Sequence, residues 1–473
     1  MSNVAVMNDL DKKIYGLSYD PRKILSLNGE NIESFIPNEG IKTPDKFIVI
    51  KRERRSISDN NADIAIIDSL NNRIFPGAIQ LANRNLVENR PDFVSCDRKP
   101  IVLSIDLPGM GSESKVVVES PSNSSISSAI SSLLNTWNSK YSSTNKIPSR
   151  IQYNESMVYS ESQISTKFGL NFKSLGKSLD IDFNGIFEGK KKAMVISFKQ
   201  IFYNVSVDAP KSPSDLFGDN VSWDELTLKG INNDNPPAYV SNVSYGRTVF
   251  VKLETTSTSS DVETAFKALI KEQNAESNVK YKEIFENSTF TAVVIGGGAQ
   301  EHNKVVSKNF DEIRDIIMNN SEYSSTNPGL PISYTSVFLK DNAIATVNSN
   351  SEYIKTTSTE YTNGKIVLNH TGGYVAQFNI SWDEFTYDKD GKEILTRKYW
   401  SENNKDKTAP FNSTINLSGN CKNIDIHIKE ATGLAWEWWR TLVNVKNTAL
   451  LKERKIDIHG TTLIPYVNIT PNF

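Results

Sequence analysis

β-strand signals dominate the pattern of hydrophobic and polar residues along the chain. Runs of β-branched and aromatic residues that end at turn-forming residues are typical of strands. We predict such strands at residues 47–50, 116–118, 194–207, 248–253, 290–295, 374–382 and 424–428. In the last of these, isoleucines alternate strictly with polar residues, which indicates an antiparallel strand with one buried face. From about residue 363 onward strands and turns dominate, which predicts a C-terminal β-sandwich.

Helical patterns are fewer. A lead-in rich in Ser and Asn precedes residues 126–139, and two acidic residues begin residues 311–319, so both segments are predicted to be helices. Asn-Pro-Pro at 235–237 and Asn-Pro-Gly at 327–329 are loop signals that separate the blocks. The pattern therefore predicts a β-rich α+β protein.

Residues 161–189 fit two periods at once. A helical stripe with steps of four and three runs through Phe168, Phe172, Leu175, Leu179 and Phe183. The same segment also alternates, with a change of phase near residues 173–174 that a hairpin turn would produce. Each arm would then have about ten residues, the length of a tilted strand that crosses a membrane.

Residues 260–283 behave similarly, although their alternation is less regular. A helical face would contain Val262, Ala265, Phe266, Leu269 and Ile270. On the pattern alone, two amphipathic helices on a sheet are the favoured interpretation for both segments. Strands of this kind cross a bilayer only in a closed barrel, which would require many copies of the chain. The pattern therefore leaves a helix-to-strand switch open.

Tryptophan is concentrated in one short segment. Residues 430–440, EATGLAWEWWR, contain three of the chain's seven tryptophans. Side chains alternate along a strand, so the adjacent Trp438 and Trp439 cannot both point into one core. Trp is favoured at the boundary between membrane and water. We therefore predict an exposed binding loop here rather than a Trp-rich sandwich core.

Composition narrows the class of protein. The chain has 473 residues, a length typical of about three domains or of one very large domain, and 38% of them are hydrophobic. No apolar run approaches the roughly 20 residues of a spanning helix. The formal net charge of −2 argues against a general nucleic-acid partner, which would require a basic face. Residues 1–8 show no charged start followed by an apolar run, so no signal peptide is identified.

Residues able to carry catalysis or bind metal are sparse. Cys96 and Cys421 are too few for a disulfide framework, and we expect two independent thiols, although pairing stays open. The chain has four histidines, and none has the spacing of metal ligands: His302, His370, His427 and His459. The glycines at 296–298 lack a GxGxxG pattern, and Asp180 with Asp182 is more simply a solvated or lumen-facing edge. We expect no enzyme activity, no cofactor and no metal.

Residues 430–440 closely resemble the undecapeptide of the cholesterol-dependent cytolysins, also called thiol-activated cytolysins, which are pore-forming toxins of Gram-positive bacteria. Other runs similar to clostridial members are VSYGRTVFVKLETTS, FTAVVIGGGAQEHNKVV, PISYTSVFLKDN, YVAQFNISWDE and GTTLIP. The resemblance covers almost the whole chain. The family usually has Cys where this chain has Ala431, so we expect activity without a reductant. Some relatives that use a protein receptor have Pro within the tryptophan run, and its absence here favours direct sterol recognition.

The resemblance implies an elongated four-domain toxin with a central twisted antiparallel sheet, flanking helical bundles and a C-terminal β-sandwich. Domain 1 would comprise residues 9–25, 62–150, 201–246 and 322–345, and domain 2 residues 26–61 and 346–362. Domain 3 would comprise residues 151–200 and 247–321, and domain 4 residues 363–473. The two-period segments, about 161–189 and 260–283, coincide with the family's transmembrane hairpin regions, which are helical in the soluble monomer. The resemblance therefore favours the switch.

The family's functional residues can be transferred position by position. Its sterol-recognising Thr-Leu pair falls on Thr462 and Leu463. The membrane-binding loops would contain Gly373, Tyr374, Ala409, Ala431, Thr432, Gly433, Leu434, Ala435, Trp436, Glu437, Trp438, Trp439 and Arg440. Arg440 is the position thought to couple membrane binding to assembly.

A second set of residues would act in assembly and insertion. Tyr153 and Phe290 match an aromatic pair that stacks between neighbouring subunits, and Glu155 and Lys308 match an intersubunit ion pair. Gly296 and Gly297 match a glycine hinge that lets a covering strand move from the sheet edge. The expected protein is thus a secreted cytolysin that binds cholesterol in host membranes, forms a large homo-oligomer and becomes a multi-pass β-barrel. The alternative is a sterol- or glycan-binding adhesin that does not insert.

Overall fold

The computed structural model describes residues 7–29, 32, 36–66, 74–88, 90–169, 172–271, 279–296 and 304–472. Two short 3₁₀ turns lie at Gly111–Ser114 and Pro213–Leu216. The helices are α1 Asp9–Tyr15, α2 Pro21–Ile24, α3 Arg84–Val87, α4 Asn123–Lys140, α5 Glu161–Phe168, α6 Phe172–Ser178, α7 Phe183–Phe187, α8 Trp223–Leu228, α9 Val262–Lys271, α10 Lys282–Glu286 and α11 Phe310–Met318. The helices predicted at 126–139 and 311–319 correspond to α4 and α11, with ends that differ by a few residues.

A ten-stranded antiparallel sheet is the largest element. Its strands are β4 Ile64–Ala65, β5 Ile79–Leu81, β6 Ile101–Ile105, β7 Lys115–Val118, β8 Arg150–Met157, β9 Lys192–Val207, β10 Pro237–Thr255, β11 Ser288–Gly296, β12 Val305–Ser307 and β13 Leu330–Phe338. The long strands β9 and β10 pair along most of their length. One half of the sheet, called the half-sheet below, contains the N-terminal ends of β9 and β11. Its strand order is β12-β11-β10-β9-β8. The short β12 and the strand β8 are therefore the two edges of this half.

Helices cover both faces of that half-sheet. Alternate residues of β9, such as Met194 and Ile196, pack with α9, α10 and α11. The intervening residues Ala193 and Val195 pack with α5, α6 and α7. Burial on both faces explains why this strand is a nearly continuous apolar run rather than a strict alternation.

The described parts of the two-period segments contain helices α5, α6, α7 and α9. Ser160 caps α5 by accepting from the backbone N–H of Gln163, and Gly169 ends it in a left-handed conformation, φ +63°. Asp182 caps α7 in the same way. Residues 170–171 of the first segment and 272–278 of the second lie outside the described residues. The helical interpretation favoured by the pattern is therefore confirmed for the described parts.

A four-stranded sheet connects the central sheet to the C-terminal sandwich. It has the order β1-β14-β3-β2, and β3 and β14 pair along sixteen residues. Its strands are β1 Ser26–Asn28, β2 Glu39–Lys42, β3 Lys46–Asn61 and β14 Val347–Thr362. At one end of this sheet, Phe47 packs edge-on against Phe385 of the sandwich with ring centroids 5.4 Å apart.

The chain ends in the predicted β-sandwich, whose two sheets have the orders β18-β15-β21-β22 and β17-β16-β19-β20. The strands are β15 Gly364–His370, β16 Ala376–Tyr387, β17 Glu393–Tyr399, β18 Phe411–Leu417, β19 Cys421–Leu434, β20 Glu437–Thr448, β21 Arg454–Gly460 and β22 Pro465–Thr470. Their inward residues, including Leu368, Phe378, Ile426 and Ile456, form one core. The fold class predicted from the sequence is confirmed.

Candidate functional site: the tip of the sandwich and the edges of the central sheet

The tryptophan-rich segment is a β-hairpin rather than an irregular loop. Strands β19 and β20 pair up to Leu434 and Glu437, so only Ala435 and Trp436 form the turn. A register irregularity lies between Ala431 and Leu434. Within it, Gly433 has φ +77°, a conformation that glycine adopts at little cost. The prediction of exposure was right, but strand pairing continues much further than the loop interpretation allowed.

Two of the three clustered tryptophans face solvent. Trp436 is 83% exposed and Trp438 is 59% exposed. Trp439 is half-buried, and the Lys429 ammonium lies 5.5 Å from the centre of its ring. The exposed rings therefore project from a hairpin whose backbone is fixed by the sheet, and the cation–π contact holds the third ring against β19.

The predicted sterol pair lies in the turn between β21 and β22. Leu463 is 85% exposed, Ile464 is also exposed and Thr462 is half-exposed. The N–H of Thr461 donates to the Ile464 carbonyl at 3.1 Å, and the N–H of Ile464 donates to Thr461 Oγ1 at 3.3 Å. These bonds close a tight turn that presents two adjacent aliphatic side chains to solvent. Sequence reasoning missed Ile464, for which the only signal was the pair of apolar residues inside a turn.

A third segment at this end lies between β15 and β16. The N–H of Gly373 donates to the Gly460 carbonyl at 2.8 Å. The hydroxyl of Tyr374 donates to the His459 carbonyl at 3.1 Å. Tyr374 itself is only 7% exposed, so its side chain packs into the sandwich and does not face solvent as a membrane-loop residue would. Burial raises the pKa of its hydroxyl to about 12.

The remaining predicted tip residues belong to the same cluster. Ala409 is exposed and follows Lys407, whose backbone exchanges two hydrogen bonds with Ala376. The N–H of half-buried Ala431 donates to the Val375 carbonyl at 2.8 Å. Thr432 Oγ1 donates to the Glu437 carbonyl and accepts from the N–H of Leu434, which ties the irregular part of the hairpin together.

Arg440 joins the hairpin to the turn that contains Thr462. Its Nε donates to Glu430 Oε1 at 2.6 Å, and its Nη2 donates both to that oxygen and to the Thr462 carbonyl. Glu430 is fully buried, with 0% exposure. Sequence reasoning did not single out Glu430 as a site residue, although the alternation of isoleucines over residues 424–428, continued by one step, places residue 430 on the buried face.

The edge strand β8 carries Tyr153 and Glu155. The Tyr153 ring packs on Phe198 with centroids 5.4 Å apart, and its hydroxyl donates to Glu155. Partial burial raises the pKa of that hydroxyl, and the bond to Glu155 raises it further. Glu155 also pairs with Lys267 of α9, with an N···O distance of 3.6 Å. One edge of the sheet is thus linked to the second two-period segment.

Phe290 lies near the opposite edge, on β11. It is 2% exposed, packs edge-on against Phe310 at 5.3 Å and pairs in register with Ser307 of β12. Within one molecule β10 and β9 separate Phe290 from Tyr153, so the structure does not bring the two rings together. Lys308 is exposed just after β12.

Gly296 ends β11 with φ +84°. A Cβ at this position would lie 2.8 Å from the Gly246 carbonyl oxygen, so the backbones approach too closely for another residue without strain. Gly297, Gly298 and His302 lie outside the described residues. The sharp left-handed turn at Gly296 marks the point where the chain leaves β11.

Both thiols are free: Cys421 is buried and Cys96 half-buried. Burial raises the pKa of Cys421 to about 12, which keeps it a thiol at neutral pH. Among the residues that the structure describes, no group of three His, Cys, Asp or Glu side chains could hold a metal ion. No helix in the described ranges is both long and apolar enough to cross a membrane.

Comparison with known proteins covers nearly the whole chain. A family model described as thiol-activated cytolysin matches residues 9–361, and one for the thiol-activated cytolysin β-sandwich domain matches residues 365–466. Tetanolysin from Clostridium tetani is 64% identical over 462 residues, which cover 98% of this chain and 88% of tetanolysin. Perfringolysin O from Clostridium perfringens is 53% identical over 463 residues, which cover 98% of this chain and 93% of perfringolysin O.

Solved structures agree with the sequence comparisons. The crystal structure of listeriolysin O superposes with a TM-score of 0.90 at 43% identity and covers 99% of this chain and 98% of that one. The crystal structure of wild-type pneumolysin gives a TM-score of 0.86 at 44% identity and covers 97% of each chain. The predicted resemblance is confirmed, and the chain belongs to the thiol-activated cytolysin family.

Proposed function

We propose that this cytolysin recognises cholesterol in host-cell membranes, assembles with further copies into a ring and inserts one large β-barrel that lyses the cell. The observation that carries the proposal is the cluster of exposed apolar side chains at one end of the sandwich. Trp436, Trp438, Leu463 and Ile464 project from two hairpins that are hydrogen-bonded to each other. Aromatic and aliphatic residues on a fixed backbone suit shallow insertion at a bilayer surface.

Sterol recognition would be performed by Thr462 and Leu463. A sterol offers one hydroxyl and a flat hydrocarbon ring system. The Thr462 hydroxyl would bond the sterol hydroxyl, and Leu463, which is 85% exposed, would cover the ring face. The other segments at the tip, residues 373, 409 and 431–440, would position the protein at the membrane surface.

Assembly would occur through the two edges of the central half-sheet. Strand β12 covers only residues 290–292 of β11. If β12 moved away, with Gly296 and Gly297 as the hinge, β11 could pair with β8 of a neighbouring copy. Such pairing would bring Phe290 to Tyr153 across the new interface. Lys308, which follows β12, would separately pair with Glu155 of the neighbouring copy. Edge strands readily accept a further strand because their backbone groups are unpaired.

Insertion would convert the two helical segments, about 161–189 and 260–283, into hairpins. A lone hairpin in lipid would leave backbone groups without hydrogen bonds, at a cost of several kcal/mol per group. Insertion should therefore follow ring formation. We further propose the four-domain boundaries given above, secretion of the toxin and a final multi-pass barrel in the host membrane.

A membrane adhesin that does not insert is the second candidate. It would use the same exposed tip, and it has no use for segments that fit both a helical and a strand period. Release of a trapped dye separates the two functions because an adhesin would bind vesicles without opening them.

The test is dye release from vesicles with and without cholesterol, in the absence of a reductant. We expect release only from cholesterol-rich vesicles. The variant Thr462→Gly with Leu463→Gly should lose binding and release by at least about a hundredfold, since a buried Leu contributes roughly 1.5–3 kcal/mol and the hydroxyl contact adds to it.

A matched control exists at the other end of the same sandwich. Leu395 and Thr396 are also exposed neighbours, on β17, paired with β16 near the contact between Phe385 and Phe47. Replacing both by Gly should leave release unchanged. Normal cholesterol binding by the tip variant would refute the sterol assignment, and binding without release by the wild type would favour the adhesin.

A further inference from the structure

We infer that Glu430 is a positioning residue that fixes the conformation of the sterol turn through Arg440. The inference rests on the proposed function, because it concerns the turn that contains Thr462 and Leu463. It adds a residue that does not itself face the membrane and a physical route between the tryptophan hairpin and that turn.

The geometry of Arg440 is the first argument. Glu430 of β19 and Arg440 of β20 are direct partners in the register of the hairpin. Two nitrogens of the guanidinium, Nε and Nη2, donate to the same oxygen, Glu430 Oε1. The Nη2 atom also donates to the Thr462 carbonyl, twenty-two residues further along the chain. The fork of one arginine thus joins a strand of one sheet to a turn that belongs to the other sheet.

Burial is the second argument. Glu430 has no exposed surface, and among the described residues its Oε2 has no hydrogen-bond partner. Its charge is therefore balanced by Arg440, whose side chain is partly exposed. Breaking a buried pair by removing one partner leaves an uncompensated charge, which is strongly unfavourable. The pair consequently holds the guanidinium in one place, with one N–H directed at Thr462.

The construction of the turn is the third argument. On one side, the Gly460 carbonyl accepts from the N–H of Gly373. Inside the turn, Thr461 and Ile464 bond to each other. On the other side, the Thr462 carbonyl is bonded by Arg440. Without that donor the Thr462 peptide is still held through the two bonds between Thr461 and Ile464, but the orientation of Thr462 becomes less fixed.

The central variant is Glu430→Gln, which keeps the shape of the side chain and removes its charge. Amide hydrogen exchange at Thr461 and Ile464, measured on the free protein, should accelerate about tenfold, because Arg440 loses the charge that fixes its position and its hydrogen bond to the Thr462 carbonyl weakens. Exchange at Ile426 and Ile428 in the sandwich core should not change. Binding to cholesterol-containing vesicles should weaken by a similar factor of about ten.

A second cross-strand pair in the same sheet provides the control. Asp383 of β16 and Arg397 of β17 are register partners, with an N···O distance of 3.1 Å, far from the tip. The variant Asp383→Asn should change neither exchange in the sterol turn nor binding. If Glu430→Gln destabilises the whole sandwich, Arg440→Lys replaces it. A lysine keeps the ion pair but lacks the planar fork that reaches Glu430 and the Thr462 carbonyl together, so the turn alone should loosen.

A double-mutant cycle tests whether Glu430 acts through the turn. Added to Thr462→Gly with Leu463→Gly, Glu430→Gln should cause no further loss of binding. A full additional loss would overturn the inference, and so would unchanged exchange at Thr461 and Ile464. Exchange in the free protein does not depend on the ligand. Faster exchange in a protein whose wild type ignores cholesterol would therefore support the positioning role and refute the sterol function.

Discussion

The sandwich and the helix-covered half of the central sheet contain similar strands but differ in what covers the faces of those strands. In β19, buried and more accessible positions alternate over most of the strand, and the accessible face meets solvent. In β9, residues on both faces are buried, because α5–α7 cover one face and α9–α11 the other. The sandwich buries its apolar residues between its own two sheets. The half-sheet depends for burial on helical segments whose sequences also fit the period of a strand.

Those covering helices are individually weak. Helices α5, α6, α7 and α10 have between five and eight residues, and isolated helices of such lengths are not stable in water. Packing and a few polar contacts to the sheet hold them. The comparison favours a sandwich that keeps its structure and a half-sheet whose covering helices could convert to strands.

The largest effect that should separate the two regions comes from removing one fully buried ring from each. Phe378→Ala in the sandwich and Phe266→Ala in α9 should each lower the local free energy of unfolding by about 3–5 kcal/mol. Phe378→Ala should reduce the urea midpoint seen by the tip tryptophans and weaken membrane binding. Phe266→Ala should leave both unchanged. Segment-resolved hydrogen exchange provides the local measurement.

The same two variants also test whether the helical layer that contains α9 must come apart before dye release. The cavity left by Phe266→Ala exists only in the packed helical form, so dye release by this variant should begin no later than for the wild type. A delayed start, with binding intact, would show that α9 is not part of a layer that must come apart.

Much of the fold was predictable because period two is a strong signal where a strand has one buried face. The sandwich was identified in this way, whereas the predicted parts of β9, β10 and β11 were identified as runs of β-branched and aromatic residues, since these strands are buried on both faces. Strand β3 was predicted only at 47–50, yet it extends to Asn61, since its polar second half is stabilised by pairing with β14 rather than by burial. Strand β8 was missed for a similar reason: its first half is exposed.

The site could be predicted where aromatic or aliphatic residues lie in segments that are expected to be exposed. Clustered tryptophans and GTTLIP indicated the tip, but the transferred roles depended on the family resemblance. Burial could not be predicted for Tyr374, whose side chain is directed inward by its bond to the His459 carbonyl. Glu430 was missed because its proposed role depends on Arg440, whose contact with the Thr462 carbonyl exists only in the folded sandwich.

A smaller effect is expected from pH on the stability of the half-sheet, at its contact with the connecting four-stranded sheet. Lys192 Nζ donates to the Thr258 and Ser259 carbonyls at 2.9 and 2.8 Å, and Ser358 of β14 lies within 3.5 Å. Burial lowers the pKa of Lys192 to about 8, opposed by the charge of Glu360. An unfolded lysine titrates near pH 10.4.

The unfolded chain therefore binds more protons than the folded chain above pH 8, and this group's contribution to stability should rise from pH 8 to 9.5. The control Lys192→Arg keeps its charge throughout and should lack this rise. Urea midpoints of the half-sheet at pH 7.5, 8.5 and 9.5 measure the difference between the two proteins. A difference that is constant with pH would contradict the lowered pKa.

The smallest predicted effect concerns Asp180, which links the first two-period segment to the edge of the sheet. Its carbonyl accepts from Lys252 of β10 at 2.7 Å, and its carboxylate pairs with Lys304, next to β12. Asp180→Asn removes the charge pair and keeps the carbonyl contact. Exposed ion pairs contribute about 0–1 kcal/mol, so dye release at low salt should become about twofold faster.

The salt dependence decides whether this pair is a genuine link between β12 and the helical layer. At 1 M salt the screening length falls to about 3 Å, and the difference between Asp180→Asn and the wild type should disappear. Asp311→Asn is the control, because Asp311 pairs with Arg314 inside α11 and is similarly exposed. Equal acceleration by both variants would mean that the surface charge as a whole sets the rate. Acceleration by Asp180→Asn alone, lost at high salt, would mean that movement of the edge strand and release of the first helical segment are coupled in a single step.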